Sequence, residues 1–488
     1  MKKLKDILYK VVVKEVYGNT DIDISNIQFD SRQVQEEDVF VAQKGVTVDG
    51  HQFIAKAVSL GAKTVICESL PENKNEEVTY VKVGDSNAAL AIIATNYYNN
   101  PSKSLQLVGV TGTNGKTTIA SLLYQLFKKA GYKVGLLSTV RVMVDEEEYK
   151  ATHTTPNSLA INNYLSKMVE AGVDYCFMEV SSHGIHQKRT EGLEFAGGVF
   201  TNLSHDHLDY HETFAEYRDV KKSFFDSLPK SAFALVNIDD KNGQIMLQNT
   251  KANKQTYALK TLGDFKAKVL EKRLSGTLLT INGIEVWTKL IGEFNAYNLL
   301  AIYGVAELLG LEKIEILRII SELESVSGRF QYTVSDDGVT AIVDYAHTPD
   351  ALKNVLQTIN DIRTGNETVI TVVGCGGDRD TTKRPKMALI ASQLSDQAIF
   401  TSDNPRTEDP QSIIDEMETG VAAENYKKTL SIVDRRQAIK TACKLATSGD
   451  IVLIAGKGHE TYQEINGVRH HFDDLEEVTN YFNQLKKH

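Results

Sequence analysis

One short glycine-containing segment carries the strongest chemical signal in this sequence. An apolar run at residues 105–110 is followed by a turn at residues 111–115, and Lys116 and Thr117 then open a stretch with helical periodicity. A strand, a glycine turn and a helix start together cradle phosphate groups, because backbone N–H groups and the positive end of the helix face the anion. In such a loop the lysine reaches the terminal phosphates and the threonine hydroxyl holds Mg²⁺. We therefore predict an ATP site.

The pattern is shorter than the common phosphate-binding motif, which has a glycine where this chain has Val110. The residues of that motif that this chain does have are Gly112, Gly115, Lys116 and Thr117. The alternative is an ordinary glycine turn between a strand and a helix of any α/β domain. We favour the ATP site because a lysine at the start of an apolar helix needs an anion.

The elements that position this loop are visible in the periodicity of the surrounding chain. Apolar residues after the loop fall on one helical stripe, formed by Ile119, Leu122, Leu123, Leu126 and Phe127. Strand-like and helix-like segments then alternate, with strand candidates at residues 134–144, 175–180 and 198–203. Ligands of open α/β sheets bind beyond the carboxyl ends of the strands. Glu179 and the loop at residues 204–211 should therefore converge on the phosphate loop.

The loop at residues 204–211 reads Ser-His-Asp-His-Leu-Asp-Tyr-His. It could be a solvated surface loop or a zinc site, although no cysteine accompanies the histidines. Magnesium prefers oxygen ligands and ATP chemistry requires a hard cation. We therefore predict a functional loop next to magnesium.

The rest of this central region contains three further features. A predicted helix at residues 216–225 carries Lys221 and Lys222, which composition alone would place in solvent. Residues 253–290 show the alternation of a small antiparallel excursion. Asn298 opens another helix and could bind a base or ribose, and Arg329 lies near a predicted domain junction.

Length and composition describe a water-soluble globular protein of several domains. The chain has 488 residues, more than one core usually serves, and a net charge of −10 that argues against general affinity for nucleic acid or anionic membrane. Its four cysteines are far apart in the sequence, which is typical of reduced thiols in a cytoplasmic enzyme. Charged residues interrupt the N-terminal segment, so no signal peptide is expected. No apolar run approaches the roughly 18 residues of a membrane span.

Breaker residues and periodicity predict three α/β domains in line. The cluster at residues 97–102 places the first boundary, so we expect domains at residues 1–100, 101–332 and 333–488. In the first domain, Ser31 and Arg32 could bind a phosphate, because a hydroxyl and a guanidinium both suit that anion. A capped turn with a surface arginine is an equally good interpretation.

The third domain has four strand candidates, each followed by a polar or glycine-rich loop. The strands are predicted at residues 341–344, 368–373, 398–401 and 451–455. Loops in such positions carry function. Arg379 and Arg406 in two of them are suited to carboxylate recognition, because guanidinium binds carboxylate through two parallel hydrogen bonds. Ordinary surface arginines are the alternative.

Assembled in order, these motifs resemble the Mur ligase family along the whole chain. The segments that carry the resemblance are TGTNGKTT (111–118), THTTP (152–156), MEVSSHG (178–184), FTNLSHDHLDYH (200–211), YRDVKKSFF (217–225), VDYAHTPDAL (343–352), GCGGDRD (374–380), DNPR (403–406) and AGKGHE (455–460). The resemblance implies an N-terminal UDP-binding domain, a central P-loop ATPase domain and a C-terminal Rossmann-like domain. It also implies ATP-driven amide formation through an acyl phosphate.

The resemblance implies specific roles for individual residues. The expected catalytic residues are Lys116, Glu179, His207, Lys221, Arg329 and His347. The expected ATP-binding residues are Gly112, Thr113, Asn114, Gly115, Lys116, Thr117, Thr118, Asn298, Arg329 and Asp344. Two Mg²⁺ ions are expected at Thr117, Glu179, His207 and Lys221, with Lys221 converted by CO₂ into an anionic carbamate. A lysine near metal cations is otherwise electrostatically unfavourable, and spacing from Tyr217 selects Lys221 rather than Lys222.

The resemblance also implies the substrates. The UDP-N-acetylmuramoyl-dipeptide is expected at Ser31, Thr154, Thr155, Ser181, Gln187 and Arg189. The incoming amino acid is expected at Arg379, Asp403, Asn404, Pro405, Arg406, Gly456 and Glu460. The DNPR segment marks family members that add meso-diaminopimelate, whose second amino-acid head has a carboxylate for the guanidinium. Val46, Thr47 and His153 depart from relatives that have a His-Gln pair and an asparagine there.

Alternatives are the same ligation with L-lysine or another diamino acid, or another Mur or folylpolyglutamate-type ligase. A regulatory P-loop module that forms no bond is the alternative from a different class. We expect a cytoplasmic monomer whose partners are ATP, UDP-N-acetylmuramoyl-dipeptide and meso-diaminopimelate, with no nucleic acid and no membrane.

Overall fold

A computed structural model describes residues 2–45, 48–204, 210–211 and 213–485 of the chain. Within these residues the chain forms three large sheets that follow one another in sequence, with five, eleven and six strands, and two small two-stranded sheets. Helices cover the faces of the large sheets, as expected for an α/β protein with parallel strands.

The first sheet lies within residues 13–83 and has the strand order β2-β7-β6-β5-β4. Strands β4 to β7 are parallel, and β2 is an antiparallel edge strand. In chain order the elements of this region are β1 (Lys2–Lys3), α1 (Leu4–Ile7), β2 (Val13–Tyr17), β3 (Asp23–Ile24), β4 (Ile27–Gln28), β5 (Val39–Val41), α2 (Ile54–Ser59), β6 (Thr64–Cys67), β7 (Thr79–Val83) and α3 (Ser86–Tyr97). Asn99 and Asn100 follow with φ of 62° and 55°, so the breaker cluster does end a helix.

The second sheet is the largest and carries the phosphate-type loop. Its elements are β8 (Gln106–Thr111), α4 (Lys116–Lys129), β9 (Val134–Leu137), β10 (Arg141–Val144), β11 (Glu147–Lys150), α5 (Ser158–Glu170), β12 (Tyr175–Glu179), α6 (Ser182–His186), β13 (Gly197–Phe200), α7 (Phe214–Asp226), β14 (Phe233–Asn237), α8 (Gly243–Met246), β15 (Asn253–Ala258), β16 (Phe265–Arg273), β17 (Gly276–Ile281), β18 (Ile284–Thr288), α9 (Glu293–Leu308) and α10 (Lys313–Glu322). Its order is β11-β10-β9-β12-β8-β13-β14-β15-β16-β17-β18. Strands β9, β12, β8, β13, β14, β15 and β16 are mutually parallel. The predicted central parallel sheet is confirmed.

Two details of this sheet differ from the sequence predictions. The single strand expected at residues 134–144 is an antiparallel pair, β9 and β10, because the chain reverses between them at residues 138–140. The antiparallel excursion begins at β16 rather than at residue 253, because β15 still pairs in parallel with β14. Short apolar runs do not reveal strand direction, since direction depends on which neighbour supplies the hydrogen bonds.

The third sheet has the order β19-β20-β24-β21-β22-β23, parallel except for β19. Its region contains β19 (Gln331–Val334), β20 (Thr340–Asp344), α11 (Pro349–Ile362), β21 (Val369–Val373), α12 (Lys383–Leu394), β22 (Gln397–Phe400), α13 (Pro410–Glu418), β23 (Thr429–Ser431), α14 (Arg435–Leu445), β24 (Ile451–Ala455), β25 (Tyr462–Ile465), β26 (Val468–His471) and α15 (Asp474–Leu485). All four predicted strands of this region are present. Strand β19 runs across the predicted boundary between residues 332 and 333, and the two domain boundaries remain predictions.

Helix α4 shows how the core fixes the loop. All five residues of its predicted apolar stripe are fully buried, and they pack with β8, β12 and the start of α9 in one cluster. Burying each such side chain contributes about 1.5–3 kcal/mol, so the first turn of the helix is held rigidly against the sheet.

No helix among the described residues combines the length and the apolar character that spanning a membrane would take.

A buried ion pair stabilises the third region. Arg435 and Asp474 have fully buried side chains, and Arg435 Nη2 lies 2.7 Å from Asp474 Oδ2. We expect Arg435→Met to lower the free energy of unfolding by about 3–5 kcal/mol, because it leaves a buried carboxylate without its partner. Neighbouring Arg436 offers a matched control, since its side chain is 59% exposed and its pair with Glu477 is a surface pair. Arg436→Met should cost at most about 1 kcal/mol in the same urea titration. Equal losses would contradict this assignment.

Candidate active site

The loop between β8 and α4 needs its two glycines for steric reasons. Gly112 and Gly115 have φ of 149° and 89°, a region that favours glycine. A Cβ atom at Gly115 would lie 2.7 Å from Asn298 Oδ1, and one at Gly112 would overlap the Thr201 hydroxyl. The backbone of the loop therefore passes close to its neighbours at both glycines.

Two lysines converge on this loop from different elements. Lys116 Nζ donates to the carbonyl oxygens of Gly112 and Thr113 at 3.0 and 2.8 Å. Lys221 on α7 is 1% exposed, and its Nζ donates to the same Gly112 oxygen at 2.9 Å. Lys222 instead forms an i,i+4 pair with Asp226 at 2.7 Å. The solvent-facing interpretation of the lysine pair is therefore wrong for Lys221, because the helix directs adjacent residues to different faces.

Oxygen atoms that could serve as ligands of a hard cation lie at and beside the start of α4. Thr117 Oγ1 donates to Glu179 Oε2 at 2.9 Å, and the backbone N–H of Thr139 donates to Glu179 Oε1 at 2.7 Å. Glu179 is 1% exposed at the end of β12. Arg329 Nη2 approaches Thr117 Oγ1 at 3.2 Å. A hydroxyl and a buried carboxylate beside a phosphate-type loop fit Mg²⁺, which prefers such ligands.

These groups open into a cleft of about 720 Å³ between the second and third sheets. Both sides contribute, since its walls include the loop, the start of α9 and one side of α11 along most of its length. The predicted site residues that line it are Thr113, Asn114, Gly115, Lys116, Thr117, Thr118, Thr154, Glu179, Asn298, Arg329, Asp344 and His347. A nucleotide-sized cleft therefore joins residues more than 200 positions apart in the chain. Lys221 lies behind the loop rather than in the cleft wall.

One end of the cleft is polar and rigid. Asp239 accepts hydrogen bonds from the backbone N–H groups of residues 259–261 and from Tyr297, whose hydroxyl is 2.8 Å away. Burial alone would raise the pKa of Asp239, but these bonds and the Thr261 hydroxyl lower it to about 2. Lys260 and Glu293 form an ion pair at 2.8 Å nearby. This end could hold the sugar and base of a nucleotide.

The opposite wall contributes Asp344 at the end of β20. Burial raises the pKa of Asp344 to about 6, although Arg329 and the N–H of Phe330 oppose that rise. The Arg329 guanidinium lies 4.5 Å from the Tyr345 ring centroid. His347 Nδ1 is 2.8 Å from the Tyr345 carbonyl oxygen, which fixes the ring orientation at the cleft.

The residues predicted for the UDP-linked substrate form a second cluster, with one exception. Arg189 Nη1 donates to the Thr155 carbonyl at 2.5 Å and its Nη2 to Gln187 Oε1 at 2.7 Å. The Ser181 N–H donates to Thr155 Oγ1 at 2.9 Å. Burial lowers the pKa of the Arg189 guanidinium. Thr154 joins the cluster to the cleft, since its hydroxyl accepts from Thr139 Oγ1 at 3.1 Å.

Ser31 lies apart in sequence, in the first sheet's region. It begins a 3₁₀ turn, Ser31–Gln33, and is buried. Asp30 caps this turn and also pairs with the guanidinium of Arg32 at 2.8 Å. Arg32 is 78% exposed, so the capped turn with a surface arginine describes this residue.

The residues predicted for the amino acid form a third cluster, at the carboxyl ends of β21, β22 and β24. Asn404 Nδ2 donates to Glu460 Oε2 at 2.8 Å, and Arg406 Nη1 donates to the Gly377 carbonyl at 2.6 Å. Gly456 has φ of 118°, and a Cβ there would lie 2.6 Å from Asp403 Oδ2. Pro405 is buried beside them, whereas Arg379 is exposed at the rim.

Some predicted residues fall outside the described chain. These are His207 with most of its loop, and Val46 and Thr47. The beginning of the loop does reach the site, because the Ser204 N–H donates to Thr113 Oγ1 at 3.0 Å. No group of three or more His, Cys, Asp or Glu side chains in the described residues forms a metal cluster.

Sequence reasoning missed three residues that shape these clusters. Thr139 orients Glu179 through its backbone, which no side-chain pattern could reveal. Tyr217 contacts the Thr113 hydroxyl at 3.1 Å and is fully buried. Lys457 is fully buried among the polar residues of the third cluster. The sequence signal that could have identified Lys457 is its position between two glycines in the GKGHE loop, since a lysine between glycines after a strand has few structural roles.

Comparisons with known proteins agree with this architecture. Three family models match successive parts of the chain: the Mur ligase family catalytic domain at residues 23–98, the Mur ligase middle domain at 110–306, and the Mur ligase glutamate ligase domain at 328–458. A UDP-N-acetylmuramoyl-L-alanyl-D-glutamate--2,6-diaminopimelate ligase of Cytophaga hutchinsonii is 55% identical, over 97% of each chain. One of Phocaeicola vulgatus is 54% identical, over 98% of this chain and 99% of the relative.

A solved structure of a ligase with the same printed name is 32% identical and covers 99% of both chains, with a TM-score of 0.71. The match to this solved structure and the full-length sequence identity to the relatives indicate the same family. The chain belongs to the Mur ligase family.

Proposed function

We propose that this chain is an ATP-dependent amide ligase that joins meso-2,6-diaminopimelate to the D-glutamate of UDP-N-acetylmuramoyl-L-alanyl-D-glutamate. The observation that carries the proposal is the identity of 55% over nearly the whole length with a ligase of that name. The cleft supports it, since a phosphate-type loop and a buried threonine–glutamate pair meet there. Peptidoglycan precursor synthesis in the cytoplasm is the setting this substrate implies.

The reaction is phosphoryl transfer followed by acyl transfer. The D-glutamate carboxylate attacks the γ-phosphorus of ATP, ADP leaves, and an acyl phosphate forms. The amino group of diaminopimelate then attacks the carbonyl carbon, and the tetrahedral intermediate expels phosphate. Phosphoryl transfer depends mainly on positioning and charge stabilisation. Lys116 and the N–H groups of the loop are proposed to perform that task, and the position of Lys116 in the cleft wall supports the proposal.

The residues around Thr117 fit the magnesium that such chemistry uses. Thr117 and Glu179 would hold one ion, and Mg²⁺ supplies positive charge against the transferring phosphoryl oxygens. His207 and a carbamylated Lys221 are proposed for a second ion. Carbamylation attaches CO₂ to the neutral Lys221 amine and releases a proton, which replaces a cation by an anion. Burial of Lys221 against the loop supports its choice over Lys222.

The remaining roles follow the clusters. Asn298, Arg329 and Asp344 are proposed to bind ATP together with residues 112–118, and His347 is proposed as catalytic. The cluster around Arg189, with Ser31, is proposed for the UDP-linked dipeptide. The cluster around Asn404, with Arg379, is proposed for the amino acid. Three domains with boundaries near residues 100 and 332 would close over these substrates as a monomer.

Product analysis tests the function directly. Purified protein is incubated with UDP-N-acetylmuramoyl-L-alanyl-D-glutamate and ATP, with diaminopimelate and L-lysine in competition, and the product mass is measured. We expect the diaminopimelate product, one ADP and one phosphate. A lysine product would favour the lysine-adding alternative. If neither diamino acid gives a product but another amino acid does, another ligase of the family would be favoured. ATP hydrolysis unaffected by both substrates would support the regulatory module.

Arg406 should decide the amino-acid specificity. We expect Arg406→Ala to raise the KM for diaminopimelate well over tenfold, because a lost charged pair costs about 2–5 kcal/mol. The KM for ATP should not change. Arg436→Ala is the control, since Arg436 is an exposed arginine of the same region. An unchanged KM for diaminopimelate in steady-state kinetics would remove Arg406 from the pocket.

A further inference from the structure

Lys457 is a buried cation at the centre of the amino-acid cluster. Its side chain is fully buried after β24. Its Nζ lies 3.1 Å from Asn404 Oδ1, 3.4 Å from Glu460 Oε2 and 3.7 Å from Asp403 Oδ1. A buried ammonium is tolerated only when it is paired and hydrogen-bonded. Lys457 therefore joins the loop after β22 to the loop after β24.

The contacts of Lys457 determine which end of the Asn404 amide faces the pocket. Asn404 Oδ1 accepts from Lys457 Nζ and also from the backbone N–H of Glu464 at 2.9 Å. Both partners are donors only, so the amide oxygen must point at them. The Nδ2 group is consequently directed at Glu460 Oε2, 2.8 Å away. Without Lys457, one of the two restraints on this amide is lost.

Lys457 also sets the charge of the cluster. Asp403 and Glu460 are two carboxylates close to one ammonium, so the three groups together carry one negative charge. That charge suits the ammonium of an amino-acid head, while Arg406 on the adjacent loop suits its carboxylate. Burial and Asp403 raise the pKa of Glu460, and Lys457 opposes that rise. Five charged or titratable groups interact electrostatically with Glu460: Asp403, Lys457, Tyr345, Tyr462 and Arg435.

We propose that Lys457 is a positioning residue that holds Asn404 and Glu460 in the arrangement that binds the ammonium of the incoming amino acid's distal head. This inference rests on the proposed function. Lys457 itself does not touch the substrate, because its side chain is fully buried beneath the polar groups that do.

The test is Lys457→Met, which is unbranched like lysine and one heavy atom shorter, and which removes the charge. We expect the KM for diaminopimelate to rise at least about tenfold at neutral pH, whereas kcat and the KM for ATP change little. Lys440→Met is the control, since Lys440 is an exposed lysine on α14 of the same region. If the methionine variant does not fold by thermal melting, Lys457→Gln takes its place with the same expectation.

The pH dependence separates positioning from general structural support. Removing Lys457 raises the pKa of Glu460 further, so more of this carboxyl is protonated at low pH and the ammonium loses its partner. The KM defect should therefore grow as the pH falls and shrink as the pH rises, relative to the wild type. A KM that stays unchanged, or that rises equally at every pH, would overturn the inference. If the wild type itself forms no diaminopimelate product, the proposed function fails instead.

Discussion

Replacing Lys221 by alanine should abolish ligase activity, with a loss of at least about a thousandfold in kcat. Two effects combine in this variant. The proposed carbamate ligand of the second magnesium is removed, and the contact between α7 and the Gly112 carbonyl, 2.9 Å long in the structure, is lost. High bicarbonate should restore nothing, because alanine has no amine for CO₂.

The adjacent lysine is the matched control for this experiment. Lys222 pairs with Asp226 on a part-buried side of α7 that does not face the Gly112 carbonyl, so Lys222→Ala should leave the loop contact intact and cost little activity. Incubation with ¹³C-bicarbonate gives a readout independent of turnover: a carbamate signal is expected in the wild type and in Lys222→Ala but not in Lys221→Ala. If Lys222→Ala lost activity and Lys221→Ala kept it, the carbamate would have been assigned to the wrong lysine.

Lys116→Met should lower kcat at least about a hundredfold, because the positive charge that neutralises the phosphoryl group is removed. The fold should survive, since the buried apolar stripe of α4 is intact in this variant. ATP binding should weaken in isothermal titration.

Lys129 at the other end of the same helix provides the comparison. Its side chain is 43% exposed and pairs with Glu322 at 3.2 Å. Lys129→Met removes the same charge from α4 without approaching the loop, so kcat should stay near the wild-type value. A similar loss in both variants would indicate that helix stability, rather than the phosphate site, was affected.

Local pattern was sufficient for the phosphate-type loop and for four of the six strands of the third sheet, since β19 and β23 were not predicted. The α4 stripe is buried as its spacing predicts, and β24 occupies residues 451–455 as expected. Such features depend on short stretches of chain, where side-chain period and glycine positions report the backbone directly. The sequence predictions were wrong about strand direction at β10 and β15, because an apolar or alternating pattern does not tell which neighbour a strand pairs with.

The sequence by itself determined the family and the class of reaction, because motif residues and their order are properties of the chain alone, and it predicted which groups could perform that reaction. Only the tertiary structure decided that Lys221 is buried behind the loop, that Arg32 is paired away on the surface, and that Lys457 orders the third cluster. The physical reason is that burial and pairing depend on groups brought together from distant segments. Adjacent lysines look alike in sequence, and packing alone distinguishes them.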